Sequence, residues 1–358
     1  MLWIGGVVLC APWSLEAQVT PAAGYTPPDD TPSVRVGGTL FLDYTYTSVP
    51  KVLDADGNSV SPNAFNVGRA YLNITGQVNH LVAFRITPDI TRETGAGSSL
   101  NGSLTFRLKY GYAQVNLDDW MWRGSYVRLG MIPTPVVNFE EDMYRYRFQG
   151  TVFADREGFL SSADFGAMYR TQFPNGYGEV MAGVYNGETY TRAETNNQKA
   201  LQVRATVRPM PGPGPKRGLR VSVFYDGDHY VKDAERRRFE SIVSFEHKYL
   251  NAAWVFLDAT DQTSVKVAAV DGRGHSIWVT PRSTIGIEGL FRYDSLKPNS
   301  SNDSRKERVI AGMAYWPKVT ATSVSTAFLL DFEQIKYHDY SPGRPTERRI
   351  AVHTLVTF

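Results

Sequence analysis

From Ser33 onward the chain alternates apolar and polar positions with a period of two, in runs broken by clusters of Gly, Asn, Asp, Ser or Pro. That period marks strands with two unlike faces, and 3.6-residue helical periodicity is almost absent. The runs are Val34–Tyr46, Phe65–Gln77, Leu81–Thr91, Leu104–Leu117, Ser125–Ile132, Ala163–Phe173, Gly178–Asn186 and Gln198–Arg208. They continue through Leu219–Asp226, Arg237–His247, Asn251–Thr260, His275–Thr280, Thr284–Asp294, Glu307–Trp316, Thr322–Tyr337 and Glu347–Phe358, which makes sixteen. Tight turns such as Pro174-Asn175-Gly176 and Pro281-Arg282-Ser283 alternate with long polar loops such as Thr47–Ala64, Arg92–Ser103, Gly187–Asn197 and Ser295–Lys306. An even number of strands, with short turns at one end and long loops at the other, predicts a sixteen-stranded antiparallel transmembrane β-barrel.

A soluble all-β sandwich or propeller shares the same period. In Leu81–Thr91, Val82, Phe84 and Ile86 lie on one side, with Ala83, Arg85 and Thr87 on the other. A sandwich turns the polar side out to water; a barrel turns it into a wet lumen and gives the apolar side to lipid. Three features favour the barrel. Aromatics gather near run ends, at Tyr44, Tyr46, Trp120, Trp122, Tyr249, Trp316, Tyr337 and Tyr340, as interfacial girdles require. The final run, Ile350–Phe358, ends in an aromatic residue, similar to the assembly signal of Gram-negative outer-membrane proteins. The third is a secretion signal.

That signal is read in Met1–Trp13, with cleavage expected after Ala17. Residues 1–17 are then a signal peptide, 18–32 an unstructured lead-in rich in Pro, Thr, Asp and Gly, and 33–358 the barrel. A lipoprotein reading of Cys10 is the rival, but Leu9 stands where a small residue is wanted. Because Cys10 is the one cysteine, the mature chain would hold no disulfide. Aromatic residues make up 13% of the chain, which excludes disorder. Its 38 basic and 36 acidic residues nearly cancel, so nothing global points to nucleic acid. After the first run of apolar residues, no stretch approaches the ~18 to 20 needed for a membrane-spanning helix.

Tyr126-Val127-Arg128-Leu129-Gly130-Met131-Ile132-Pro133-Thr134-Pro135 resembles the Arg-x-Gly-x-x-x-x-Pro strand exit of the phosphate-selective porin O and P family. Phe153-Ala154-Asp155-Arg156-Glu157-Gly158, Asp164-Phe165-Gly166 and Gly183-Val184-Tyr185-Asn186-Gly187 follow in the order and spacing of that family. The resemblance implies a sixteen-stranded porin, usually a homotrimer, whose third long loop folds into the pore. By strand count that loop is Pro133–Leu160. It interleaves Glu140, Glu141, Asp142, Arg145, Arg147, Asp155, Arg156 and Glu157 with Phe139, Tyr144, Tyr146, Phe148 and Phe153. Charges alone suit a solvated extracellular loop, whereas aromatics need a surface to pack on, so a constriction loop is expected.

Strand parity places Arg69, Arg85, Arg107, Lys109, Arg128, Arg170, Arg204 and Arg220 on the lumen side as a basic wall, interrupted by Asp164, Glu179 and Asp226. Later strands bring Glu240, Glu246, Glu288, Asp294, Asp331 and Glu333, with Arg292 the main exception. An arginine on the lipid face costs about 2 to 4 kcal/mol at the midplane, so mid-strand charges belong in the lumen. The expected narrowest point sets some of Glu140, Glu141, Asp142 and Asp155 against Arg69, Arg85, Arg107 and Arg128. The resembled family carries a lysine cluster on its fifth long loop, but the matching loop here, Asp228–Arg236, has one lysine among several acids. Strong phosphate selectivity is therefore not expected.

The function expected is passive diffusion of small hydrophilic or anionic solutes across a Gram-negative outer membrane, with modest anion preference. Expected partners are outer-membrane lipid and lipopolysaccharide, the solutes themselves and two further copies of the chain, with no nucleic acid. Neither cofactor nor metal is expected. The alternatives are a non-conducting structural or adhesive barrel and, with less support, a barrel enzyme. His80, His229, His247, His275, His338 and His353 sit in no motif with a nucleophile.

Overall fold

Each of the sixteen alternating runs forms a strand in the computed structural model, which describes residues 29–95, 97–318 and 324–358. The signal segment 1–17 and all but the end of the lead-in lie outside the described residues, as do the first residues of the run expected from Thr322. The strands are β1 Ser33–Val49, β2 Asn63–Gln77, β3 Val82–Arg92, β4 Leu104–Asn116, β5 Tyr126–Pro133, β6 Ala163–Gln172, β7 Gly178–Tyr185 and β8 Ala200–Val207. They continue as β9 Leu219–Val231, β10 Ala234–His247, β11 Leu250–Asp261, β12 Val270–Pro281, β13 Ile287–Lys297, β14 Arg305–Tyr315, β15 Ser325–His338 and β16 Glu347–Thr357. Each pairs antiparallel with its neighbours in sequence, and β1 pairs with β16 to close the ring. A two-residue ribbon, Val52–Leu53 with Ser59–Val60, decorates the first loop.

The two faces of the strands are inverted relative to a water-soluble protein. On β13, Glu288, Arg292 and Asp294 are buried while Ile287 and Phe291 are exposed. On β9, Ser222, Asp226 and Asp228 are buried while Val221, Val223 and Tyr225 are exposed. The same holds around the ring, where Phe65, Phe106, Leu129, Met313, Phe328 and Leu330 form part of a large apolar exterior. Soluble monomers rarely expose apolar side chains around their whole girth, whereas a barrel bathed in hydrocarbon must.

Closure depends on a close approach. Gly38 and Phe358 exchange backbone hydrogen bonds of 2.8 and 3.0 Å, and the Phe358 ring occupies the space a side chain on Gly38 would fill. A register shift between Thr87 and Pro88 opposite Leu108 and Tyr110 is a bulge that turns both Lys109 and Tyr110 inward, where both are buried.

Two expectations are corrected. Asp228–Arg236 is no long loop: β9 and β10 run up to a two-residue hairpin at Lys232-Asp233, and Asp233 takes the left-handed φ of 65°. Trp316 belongs to no girdle, because its indole N–H donates to the Tyr146 hydroxyl at 3.3 Å and the ring packs with the buried core.

Candidate functional site

The connection between β5 and β6 is the long segment expected from the sequence, and it has secondary structure of its own. After Pro133 and Pro135, which restrict the chain as it leaves β5, come α1 (Val137–Tyr144) and the single turn α2 (Phe153–Arg156). α1 stops at Arg145, whose left-handed φ of 64° lets its N–H reach the Glu141 carbonyl.

The interleaved aromatics find their surface on the strands. Tyr144 packs edge-on to Trp278 of β12 at 5.4 Å, and Tyr146 and Phe148 flank Trp316 at 6.1 and 6.0 Å. Val136, Val137, Met143, Val152 and Phe153 join one buried cluster with Phe224, Ile242, Leu257, Leu290 and Ile310 from five strands.

Polar anchors cover a still wider arc. Asn138 donates to the Tyr110 hydroxyl on β4 at 2.8 Å. Arg204 of β8 donates through Nε to the Pro135 carbonyl at 2.6 Å, and Asn251 of β11 donates to the Met143 carbonyl at 2.8 Å. Arg145 and the Tyr146 hydroxyl both reach Glu288 of β13, at 3.0 and 2.9 Å. Arg292 donates to the Thr151 carbonyl at 2.8 Å, and Arg156 pairs with Glu333 of β15 at 2.8 Å. One segment thus touches the buried side of strands from β4 round to β15.

α1 splits the expected acidic group. Successive helical residues point about 100° apart, so Glu140 and Glu141 cannot face the same way. Glu140 is buried against Glu240 of β10. Glu141 instead holds Arg147 at 2.5 Å, and Asp142 is exposed. Burial raises the Glu140 carboxyl to about 8, although contact with Glu240 and the Arg292 charge oppose the rise. Burial, then the neighbouring Glu141, raise Asp155 to about 6, and the same two causes raise Asp142.

The basic residues fall into two groups. Arg85, Lys109 and Arg128 form no ion pair among the described residues. Arg85 bonds Thr87 and Asn73, and Arg128 bonds Gln114 at 2.8 Å. Tyrosine rings face these cations, with Tyr110 4.5 Å from Arg85 and Tyr126 4.4 Å from Arg128. Lys109 lies 4.8 Å from the Tyr71 ring. The others are paired: Arg69 with Asp89 at 2.9 Å, Arg107 near it at 3.9 Å, Arg170 with Glu179 at 2.5 Å and Arg220 with Glu246 at 2.5 Å.

Arg204, expected in the basic wall, is not part of it. Its side chain is buried under the Phe139 ring, 4.0 Å away, and bonded to Glu179 and Pro135, so it braces the segment rather than facing open space. The acids of the later strands are also not free opposing charges. Glu288, Asp294 and Glu333 are neutralised by Arg145, Arg292, Arg308, Arg349 and Arg156. Glu157 likewise points into this wall, pairing with Lys306 at 2.8 Å and Arg308 at 2.6 Å.

Sequence reasoning missed Asp89, Arg308 and Arg349. Asp89 is fully buried between two arginines, and its parity with Arg85 and Thr87 on β3 was signal enough. Arg308 shares parity with buried Ile310. Among the described residues no three metal-ligating side chains converge.

No family model matches the chain, and no curated protein matches it in sequence. Solved structures do match in fold. The loop L8 deletion mutant of OmpT, an outer membrane protein of Vibrio cholerae, superposes with a TM-score of 0.62 at 13% identity, covering 92% of this chain and 100% of that one. An anion-selective porin from Comamonas acidovorans gives 0.61 at 13% identity, with the same coverage of 92% and 100%. OmpF of Salmonella typhi in complex with daunomycin gives 0.59 at 12%, covering 91% and 97%.

Proposed function

We propose that the chain is an outer-membrane porin of a Gram-negative bacterium, through which small hydrophilic solutes diffuse passively with modest anion preference. The observation that carries this reading is the inverted ring itself, with apolar residues outside and charge within a closed wall. The fold shared with porins and outer-membrane channels supports it. The β5–β6 segment is the constriction: it occupies the β8 to β15 side of the wall and leaves Arg69, Arg85, Arg107, Lys109 and Arg128 facing Glu141, Asp142, Arg147 and Asp155.

Anion preference follows from which charges remain free on that path. Among the described residues Arg85, Lys109 and Arg128 have no carboxylate partner, while the facing Asp155 is held to about 6 by burial and by Glu141. A ring of cations favours anions by supplying a potential that replaces part of their hydration. Affiliation with the phosphate-selective porin O and P family rests on the ordered motifs between Tyr126 and Gly187. The lysine-poor hairpin at Lys232-Asp233 argues against strong phosphate selectivity. Homotrimer formation is supported by that resemblance and by the trimer form of Vibrio cholerae OmpT.

Planar-bilayer recording tests the reading. Stepwise conductance, raised several-fold by deleting the residues between Phe139 and Glu157, is expected. A silent barrel would indicate the structural or adhesive alternative. An enzymatic barrel has less support: His80, His338 and His353 have carboxylate neighbours, and among the described residues none is bonded to a serine or threonine hydroxyl.

A further inference from the structure

The short-turn end of the barrel carries a second concentration of positive charge, bordered on its inner side by α1. Its basis is the connection from β8 to β9, where Gly212-Pro213-Gly214-Pro215 precedes a 3₁₀ turn over Pro215–Gly218. Gly214 takes a φ of 107° that favours glycine, and the flanking prolines fix their own φ, so the arm is stiff. Gly218 lies against the Glu246 backbone with no space for a side chain, which seats the arm on β10.

Two adjoining cavities of about 560 and 660 Å³ open beside this arm and share Arg208, Arg217, Arg220 and Glu246. Lys248 and Arg282 complete the second, which therefore has five cations and one carboxylate. That carboxylate is already taken, since Glu246 pairs with Arg220 at 2.5 Å. The first cavity adds two carboxylates: Glu179, which is held by Arg170 and Arg204, and the exposed Asp142 of α1, which forms no ion pair among the described residues. Arg208 and Arg217 form no ion pair among the described residues, and Arg282 meets Glu288 only at the long distance of 3.8 Å.

The donors themselves are incomplete. Nε and Nη2 of Arg282 and Nε of Arg220 are buried with no acceptor among the described residues. A buried charged donor left unsatisfied is costly, and guanidinium does not escape by losing its proton. What such a set lacks is a small group rich in acceptor oxygens and negative charge. Guanidinium forks match phosphate and carboxylate geometry two bonds at a time.

We propose that this turn-end pocket is a binding site for a small multivalent oxyanion, a phosphate ester or a di- or tricarboxylate. Phe139 and Met143 give the inner cavity an apolar wall against which the carbon skeleton of such a solute can rest. Arg282 and Arg220 grip the oxyanion, and Arg208, Arg217 and Lys248 supply the surrounding field. The site adds a solute class to the porin reading and rests on that reading only for how the solute arrives.

Titration calorimetry on the full chain in detergent, with inorganic pyrophosphate and separately with citrate, tests it. Saturable binding of one anion per chain is expected. Arg282→Lys, which keeps the charge and loses the fork, and Arg217→Gln should each weaken it about tenfold. Lys216→Gln removes a charge from the same turn but lies outside both cavities, and should leave binding unchanged. Absence of saturable binding, or equal loss in Lys216→Gln, would overturn the proposal. Binding by a chain that fails to conduct would refute the porin reading and leave this site standing; conduction without binding would do the reverse.

Discussion

Glu140 of α1 meets Glu240 of β10 with both carboxyls withdrawn from solvent, at 2% and 0% exposure. Two ionised carboxylates cannot hydrogen-bond each other, so a proton held on one of them turns a repulsion into an attachment of α1 to the wall.

This attachment is pH-dependent with a definite sign. The Glu140 value of about 8 in the folded chain lies above its ordinary 4.5. The attachment needs one proton on the pair, so it is fully present at acid pH and is lost on the alkaline side, as the pair gives up its last proton above about 8. Current noise and protease sensitivity of the β5–β6 segment should rise above pH 8. Glu140→Gln should remove that dependence; an unaltered profile would sink the assignment.

Selectivity should respond to acid in the opposite sense. Protonation of Asp155, with its value of about 6, removes negative charge from the path facing Arg69 and Lys109. Reversal potentials should show anion preference growing from pH 7 to 5, with Asp155→Asn already at the acid limit. Replacing Arg85 and Arg128 with Ala should reduce it several-fold, more so at low salt.

Arg204 ties three elements together, through the Pro135 carbonyl, Glu179 and the Phe139 ring. Arg204→Ala leaves Glu179 to Arg170 alone and removes the bond to the Pro135 carbonyl and the packing on Phe139, and should destabilise the barrel by about 2 kcal/mol. Thermal unfolding in detergent, followed by gel mobility, would register this as a lower midpoint.

At the turn end, His80 bridges Asp30 at 2.5 Å and Asp119 at 3.0 Å. Hydrogen bonds to Asp30 and then Asp119 raise the His80 value above its ordinary 6.5. The bridge is fully formed below 6.5 and is lost as pH rises through the raised value. Proteolysis near Thr31 should accelerate on going alkaline, and His80→Ala should be cleaved quickly at every pH.

Closure of the ring has a steric test. Gly38→Leu puts a side chain where the Phe358 ring sits and should cost about 1 to 3 kcal/mol, with slower appearance of the heat-modifiable folded band. Unchanged folding would mean that the ring moves aside freely.

The strands were legible because a two-residue period survives wherever one face meets lipid. Legibility failed where that constraint ends. Asp228, His229, Tyr230 and Lys232 are polar on both faces, as a hairpin standing beyond the apolar belt has no reason to alternate, and the stretch reads as loop. The charges of the β5–β6 segment were visible, but their partners were not. Glu157 reaches Arg308 and Arg156 reaches Glu333 across more than a hundred residues, and parity carries no information about such distant pairings. Glu140 and Glu141 look alike in sequence and diverge only because α1 forms.

The pairing of β1 with β16 joins residues more than 300 positions apart, such as Thr39 with Thr357. Until that seam forms, the sheet has two raw edges, each a row of unpaired N–H and C=O groups open to any passing strand. A shortened chain lacking β16 would keep both edges, at β1 and β15, whatever the quality of its interior. Completion of the barrel is thus a geometric proofreading step, in which an unfinished chain stays sticky and a finished one becomes inert.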